Sequence, residues 1–376
     1  MSDCADRIKP IDTFVSVADD QGRIVLLCCI GLVKLLDDKC TMAADDQKRA
    51  LVTGAAGFIG SHIVDELLMR GQDVMALDDL SGGFRDSISP RAKFIQGSVV
   101  DADLIARLFR DEKFDYVFHL AAYAAEGLSH FIRRFNYENN LIGSINLINA
   151  SVNHDVKCFV FTSSIAVYGK NQLPMTEELV PQPEDPYGIA KCAVELDLRA
   201  AHELFGLNSI VFRPHNVYGE RQNIGDKYRN VVGIFMNNIL QGKPLPIFGD
   251  GEQTRAFSYI GDVAPIIAES VQTPNAYNQV FNVGADQPYT VNELAQAVCK
   301  AMGTKFNPQY LPARNEVKHA YSSHDKVARV FGYKSRYSLD DGIGRMSAWV
   351  KKTGARQSQK FGVLDISKNL PPSWRD

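Results

Sequence analysis

The sequence has no apolar run long enough to cross a bilayer. Its longest, Ile24 to Val33, has ten residues, where a spanning helix needs about 20. A secretory leader is disfavoured too. Asp3, Asp6, Asp12, Asp19 and Asp20 precede that run, where a leader would be basic and poor in acids. No C-x-x-C pair occurs and the eight histidines show no zinc spacing, so no metal site is expected. Cysteine is sparse beyond the opening stretch. Four of the seven (Cys4, Cys28, Cys29 and Cys40) fall in the first 40 residues. This usage suits a reduced, cytoplasmic compartment better than a disulfide framework. An excess of one charge is missing as well. Lys and Arg number 41 against 44 Asp and Glu, a net charge of −3. No broad basic face follows, and nucleic acid is excluded as a main partner. Membrane attachment is not expected either.

What remains is ordinary globular composition, 45% hydrophobic and 23% charged over 376 residues. From Arg49 onward, short apolar runs alternate with helical stretches. The runs are Arg49–Thr53, Asp73–Leu77, Lys93–Gln96, Tyr116–Leu120, Cys158–Ser163 and Ser209–Arg213. Runs too short for helices, separated by segments such as Phe58–Arg70 and Pro186–Phe205, predict a Rossmann-type doubly wound α/β fold. Its sheet would be parallel, with both faces covered. After Pro214 the rhythm loosens, which predicts a smaller mixed α/β lobe for substrate. The expected division is a first lobe over 49–214 and a second over 215–350, with returns to the first. A polar tail over 351–376 would then run on the surface. Residues 1–48 stand apart, and several readings stay open: an added helix or strand, a poorly ordered extension, or a natural start at Met42.

The strongest local motif is Thr53-Gly54-Ala55-Ala56-Gly57-Phe58-Ile59-Gly60. Gly54 permits a tight turn, Gly57 lets the backbone approach a diphosphate, and Gly60 lets helix pack on sheet. The helix opening at Phe58 and Ile59 would present free N–H groups to the phosphates. Asp78 lies eighteen residues past Gly60, at the end of the next run. A carboxylate there accepts from ribose hydroxyls and repels a 2′-phosphate, so NAD is expected rather than NADP. Arg85 is the residue that could instead meet a 2′-phosphate.

A second constellation is Tyr187-Gly188-Ile189-Ala190-Lys191, with Ser164 ending the fifth run. A spacing of four places Tyr187 and Lys191 on one helix face. An ammonium near a phenol favours the phenolate, so Tyr187 can serve as a base. Ser164 at a strand's carboxyl end can hold a substrate oxygen as charge develops on it.

With these motifs, and HLAA (His119–Ala122), SSIAVYG (Ser163–Gly169), RPHNVYG (Arg213–Gly219) and IFGDGEQTRAFSYI (Ile247–Ile260), the chain resembles a known family. It is the extended short-chain dehydrogenases/reductases, in their NAD-dependent nucleotide-sugar epimerase/dehydratase group. Within that group it looks most like the UDP-glucose 4-epimerase type. The resemblance implies C4 epimerisation of a nucleotide-activated hexose such as UDP-glucose, UDP-galactose or UDP-glucuronate, through a transient 4-keto sugar. It also implies a homodimer. By the same resemblance Ser164, Tyr187 and Lys191 are catalytic. Leu120 and Ala121 line the cofactor, Asn139 sits by its nicotinamide half, and His215 flanks the nicotinamide ring. Asn216 contacts the sugar or its diphosphate, Asn230 and Val231 the nucleotide, and Ile247 and Phe248 the uracil. Arg255 and Arg314 clamp the diphosphate. Tyr321 occupies the room beside the sugar's C2 substituent, which disfavours N-acetylated sugars.

The chain departs from the family at four places. Gly97-Ser98 stands where an acid often meets adenine, which leaves Asp101 or backbone for that contact. No lysine occurs in Ala122–Glu126, and Ala256 replaces an acid after Arg255. Ile165-Ala166 stands where the 4,6-dehydratases carry their acid pair, and the decarboxylases their glutamate. A 4-epimerase or a 4-keto reductase remains, beside a non-catalytic NAD-binding protein on the same fold.

Overall fold

The computed structural model describes residues 47–313, 317–357 and 361–371, and the backbone of 15–18 and 24–27. Seven apolar runs pair into one sheet. In chain order they are β1 (Arg49–Thr53), β2 (Asp73–Asp78), β3 (Lys93–Gln96), β4 (Tyr116–His119), β5 (Cys158–Thr162), β6 (Ser209–Pro214) and β7 (Gln279–Val283). Their spatial order is β7-β6-β5-β4-β1-β2-β3, with every pair parallel. Val52 lies opposite Phe118 on one side and Ala76 on the other. The chain leaves β1 in one direction toward β2 and returns to β1's other flank at β4. The two crossovers part above the β1–β4 junction, and such a point opens a crevice at the carboxyl ends of the strands.

Successive strand residues point to opposite faces, and two apolar layers result. Leu51, Val117, Phe159, Phe161 and Val211 face one layer, where Ile105, Phe109, Leu147, Val194 and Leu198 cover them. Val52, Phe118, Val160, Ile210 and Phe212 face the other, against Ile63, Val64, Leu67, Val263 and Ile267. Helices supply both covers, which is why β5 is buried along its whole length. The helix starts are written locally. Asp101 caps Ala102–Asp111 by accepting from Leu104 N at 2.9 Å. Asp185 caps Pro186–Phe205 through Gly188 N at 3.0 Å, with Pro186 in its first turn and Gly206 closing it in the left-handed region.

The later chain adds the helices Val231–Leu240, Ile260–Glu269, Val291–Met302 and Leu339–Thr353, and three small sheets. It also returns β7 to the main sheet beside β6. At the start, Val15–Ala18 and Ile24–Leu27 form a separate antiparallel pair, with Val15 opposite Leu27. Strand is therefore the state of those eight residues. Met42 lies outside the described residues. No helix among the described residues is long and apolar enough to cross a membrane.

The tail differs from the sequence expectation. After Thr353 the chain crosses back, and residues 361–371 dock on the segment that follows β4. The Phe361 ring lies 5.3 Å from Tyr123 and 4.9 Å from Phe135. Asp365 N donates to Phe131 O at 2.8 Å, and Asp365 accepts from Arg134 N at 3.0 Å. Leu370 is buried. Polarity alone pointed to the surface, but scattered apolar side chains find an apolar patch far away in sequence. Phe361→Ala should lower stability by about 2 kcal/mol, from lost ring contacts and burial. It should also open the tail to proteolysis at Lys368. A melting curve and limited trypsin digestion check both effects.

Candidate functional site

The crevice begins at the glycine loop. Gly54 has φ +67°, and a β-carbon on it would fall 2.6 Å from Ala121 N and 2.8 Å from Ala121 Cα. The carboxyl end of β4 therefore presses on the turn that leaves β1. A β-carbon on Gly60 would meet Gly54 O at 2.0 Å, so helix Phe58–Met69 can sit this close only with glycine there. Gly57 caps that helix without a side-chain hydrogen bond. Its first amides, at Phe58 and Ile59, have no side-chain cap, which suits an anion. Leu120 N donates to Thr53 O at 3.2 Å, and Ala121 N to Thr53 Oγ1 at 3.3 Å. The two backbones so joined form the floor.

Asp78 ends β2 beside this loop and is itself tied to it. It accepts from Ala56 N at 2.9 Å and from Leu80 N at 2.7 Å. Burial pushes its pKa up, and those two N–H groups push it back. A carboxylate has about four acceptor positions, so two backbone bonds still leave room for ribose hydroxyls. An uncapped helix start, a turn with glycine at positions 54 and 57 and this acid together fit a dinucleotide. Asp101, the substitute for an adenine contact, spends one oxygen on its helix cap. Arg85 stacks on Phe94, 4.4 Å from its ring centre.

Ser164, Tyr187 and Lys191 converge at the carboxyl edge of the sheet, and all three are buried. Lys191 donates to Thr162 O at 2.8 Å, at the end of β5. Its ammonium stands 4.6 Å from the Phe161 ring centre and 5.9 Å from that of Tyr187. Burial pushes the Lys191 pKa down to about 7, against the pull of Glu195. Burial raises that of the Tyr187 phenol, and the Glu126 charge adds to the rise. A hydrogen bond with Ser164 opposes it. Ser164 also accepts from Ala166 N at 3.1 Å.

Several supporting residues were not singled out in the sequence. His119 is fully buried between Thr53 Oγ1 (2.7 Å) and Ser144 Oγ (2.8 Å). Burial and then the Lys191 charge hold its pKa well below the usual histidine range. Glu195, one turn past Lys191, accepts from Ser163 and, at 3.0 Å, from Arg213 Nε. His215 lies at the end of β6, with Nδ1 3.1 Å from Ala256 O and Nε2 3.1 Å from His324 Nε2. His324 in turn meets Asp286 at 2.6 Å. Burial, then the neighbouring His324, press the His215 pKa down to about 3.

The remaining expected residues divide. Asn139 donates to Phe135 O at 3.0 Å within its own helix. The buried amide is Asn140, one residue on, which accepts from Tyr123 N at 2.7 Å and donates to Asn136 at 2.8 Å. A wide π-turn over Glu138–Ile142 shifts the face presented to the crevice. Ile247 turns into the core and leaves only its backbone for a ligand, while Phe248 on the same strand is half-buried. Asn216 donates to Ala256 O at 3.1 Å. Asn230 is exposed, with φ +64°, just before Val231 opens its helix. Arg255 donates to the carbonyls of Thr254 (2.8 Å), Lys318 (3.0 Å) and Val317 (2.6 Å), so it ties two strands together. Tyr321 is half-buried, its carbonyl accepting from Met175 N at 3.1 Å. Arg314 lies outside the described residues.

The chain matches the model of the NAD dependent epimerase/dehydratase family over residues 50–284. It is 34% identical over 305 residues to the UDP-glucose 4-epimerase of Mycolicibacterium smegmatis, covering 79% of this chain and 96% of that one. It resembles the crystal structure of UDP-glucose 4-epimerase with UDP-glucose from Thermotoga maritima (TM-score 0.78, 35% identity), over 81% of this chain and 99% of that one. It also resembles the UDP-glucuronic acid 4-epimerase of Bacillus cereus in complex with UDP-glucuronic acid and NAD (TM-score 0.74, 28% identity), again over 81% and 99%.

The buried ammonium gives a pH prediction for the protein without cofactor. Its folded pKa, about 7, lies below that of an exposed lysine. Between those two values the unfolded chain binds more protons, so this group makes stability rise with pH above 7. Lys191→Met should flatten that rise. Urea midpoints measured from pH 7 to 9 for both proteins check it.

Proposed function

The chain belongs to the NAD dependent epimerase/dehydratase family, and from that premise we propose that it interconverts the C4 epimers of a UDP-hexose. UDP-glucose with UDP-galactose, or UDP-glucuronate with its epimer, is the substrate pair. The observation that carries this reading is the buried grouping of Ser164, Tyr187 and Lys191 beside the glycine loop. NAD is the cofactor, and when bound it supplies a reversible hydride acceptor and a positive charge beside the phenol. Gly54, Gly57, Phe58, Ile59 and Gly60 would hold its diphosphate, Asp78 its ribose, and Leu120, Ala121 and His215 its nicotinamide half.

Tyr187 takes the proton of the C4 hydroxyl as C4 gives up its hydride, and returns it to the C4 oxygen once hydride has been restored on the opposite face of the sugar. Neither Tyr187 nor Lys191 is set for this alone. Burial holds the phenol protonated and takes charge away from the amine. A positive charge arriving with the ligand favours the phenolate. The base is thus competent only in the loaded site. Ser164 bonds the phenol and can donate to the C4 oxygen as it becomes a carbonyl. The 4-keto sugar must then turn before its other face is reduced, so its own pocket must grip the nucleotide more firmly than the hexose. The turn after β5 supports epimerisation over water loss, because Ile165 and Ala166 offer no acid for elimination.

Tyr321 is proposed to fill the space beside the sugar's C2 substituent and so favour hexoses without an N-acetyl group. We also propose the homodimer as the assembly. Ile189 and Leu196, two turns apart on helix Pro186–Phe205, are exposed apolar residues on its outer side, and Ile142 is exposed as well.

Tyr187→Phe should abolish turnover of every substrate while leaving NAD binding within about twofold. Ser164→Ala should lower kcat by about 10² or more, with a small change in KM. A panel of UDP-glucose, UDP-galactose, UDP-glucuronate and UDP-N-acetylglucosamine, with product analysis, tests the reaction. Net consumption of added NADH would identify a reductase instead. Tyr321→Ser should raise turnover of the N-acetylated sugar relative to UDP-glucose. An unchanged ratio would remove Tyr321 from selectivity.

A further inference from the structure

Arg229 precedes helix Val231–Leu240, far in sequence from the glycine loop, yet its head lies over the crevice. The loop after β2 rests on the glycine loop: a β-carbon on Gly83 would fall 2.4 Å from Ala56 C and 2.7 Å from Gly57 N. Phe84 N also donates to Ala56 O at 3.0 Å. On that same loop, a β-carbon on Gly82 would lie 3.6 Å from Arg229 Nη2. On the other side, the Arg229 guanidinium carbon stands 4.6 Å from the ring centre of Tyr123, the residue that follows HLAA at the end of β4. Its charge also reaches the buried Tyr187 phenol. One guanidinium therefore stands between the glycine loop and the catalytic tyrosine. That is the stretch along which a dinucleotide runs from its diphosphate to its nicotinamide.

The head is pre-oriented. Asp226 Oδ2 accepts from Arg229 Nε at 2.7 Å and also pairs with Nη2. Asp226 is itself fixed by accepting from Tyr228 N at 2.8 Å. The Tyr123 ring supports one face of the head, and Tyr123 is held in turn by Asn140 and Phe361. A guanidinium so held has lost its rotamer freedom before any ligand arrives, and its second edge suits anionic oxygens. The opposite wall offers only N–H groups and a helix end, about half a positive charge. Lys191 is committed to Thr162 O, and Asp78, Glu126 and Asp185 add negative charge nearby. A diphosphate in this crevice would gain from a full cation facing those amides.

We propose that Arg229 binds the cofactor's diphosphate, closing the crevice from the substrate lobe and facing the amides of helix Phe58–Met69. The proposal rests on NAD as the cofactor and not on which sugar is turned over. It makes cofactor retention depend on the segment around residues 226–229, which no glycine-loop motif would reveal.

NAD titrations of the cofactor-stripped full chain, followed by calorimetry, test it. Arg229→Gln should weaken NAD binding by about tenfold or more, as expected for losing a charge-assisted hydrogen bond. Arg229→Lys should fall between that variant and wild type. Lys227→Gln removes a charge from the same loop, and should stay within about twofold of wild type. The gap between wild type and Arg229→Gln should narrow as salt is raised. Should Arg229→Gln fail to fold, Arg229→Lys decides, since it keeps the charge and loses the fork. NAD affinity equal to wild type in the folded Arg229 variants would overturn the proposal. So would a loss confined to UDP-glucuronate with UDP-glucose and NAD unaffected, which would assign the arginine to a sugar carboxylate. Wild-type protein that binds no NAD would sink the cofactor assignment itself, an outcome distinct from failure of the arginine alone.

Discussion

Residue 54 stands where strands β1 and β4 part, and there is no space at that point for a β-carbon. The rest of the site depends on this close approach. It brings the start of helix Phe58–Met69 over the sheet edge, with its amides uncapped. It places Asp78 within reach of the Ala56 amide, so the acid is anchored by the loop it accompanies. It also brings the end of β4 against the same turn, which puts His119 in bonding range of Thr53. Widening this junction by one methyl group would part cofactor floor from catalytic edge.

The second constraint is burial of charge. Lys191 and Tyr187 sit out of water, with a backbone carbonyl and a serine hydroxyl among their partners. Each is shifted toward its neutral form. An isolated phenolate or ammonium there would be expensive. A positive charge brought beside the phenol by a ligand changes that balance. The chemistry is thereby linked to occupancy of the site, and the empty protein has little basicity to misuse. The Arg213–Glu195 pair follows the same logic, since a buried charge persists only with its partner.

Local features were legible in the sequence because their physics is local. Short apolar runs between helical stretches marked six strands of the sheet, and the seventh, Gln279–Val283, was hidden among loops because it joins β6 from far along the chain. The glycine turn, Asp78 and the Tyr187–Lys191 spacing could be read directly, since each lies within one strand–helix unit. Asn139 and its buried neighbour Asn140 sit on a π-turn that no spacing rule anticipates. His324, Asp286 and Arg229 could not be found that way, because only the folded chain brings them beside His215, Tyr123 or the glycine loop. Which of Ile247 and Phe248 faces the core depends on how their strand packs, which the sequence does not show.

The docked segment 361–371 has a consequence for biosynthesis. Its Phe361 completes the wall around Tyr123 and Phe135, which precede it by more than 200 residues. The nucleotide lobe can begin to collapse while the ribosome is still at work. The wall that supports the crevice, however, is finished only once residues 361–371 have emerged. Vectorial synthesis therefore delivers the main sheet and its helices before the segment that braces Tyr123 and Phe135, so a nascent chain halted before residue 361 carries Ser164, Tyr187 and Lys191 and still lacks that support.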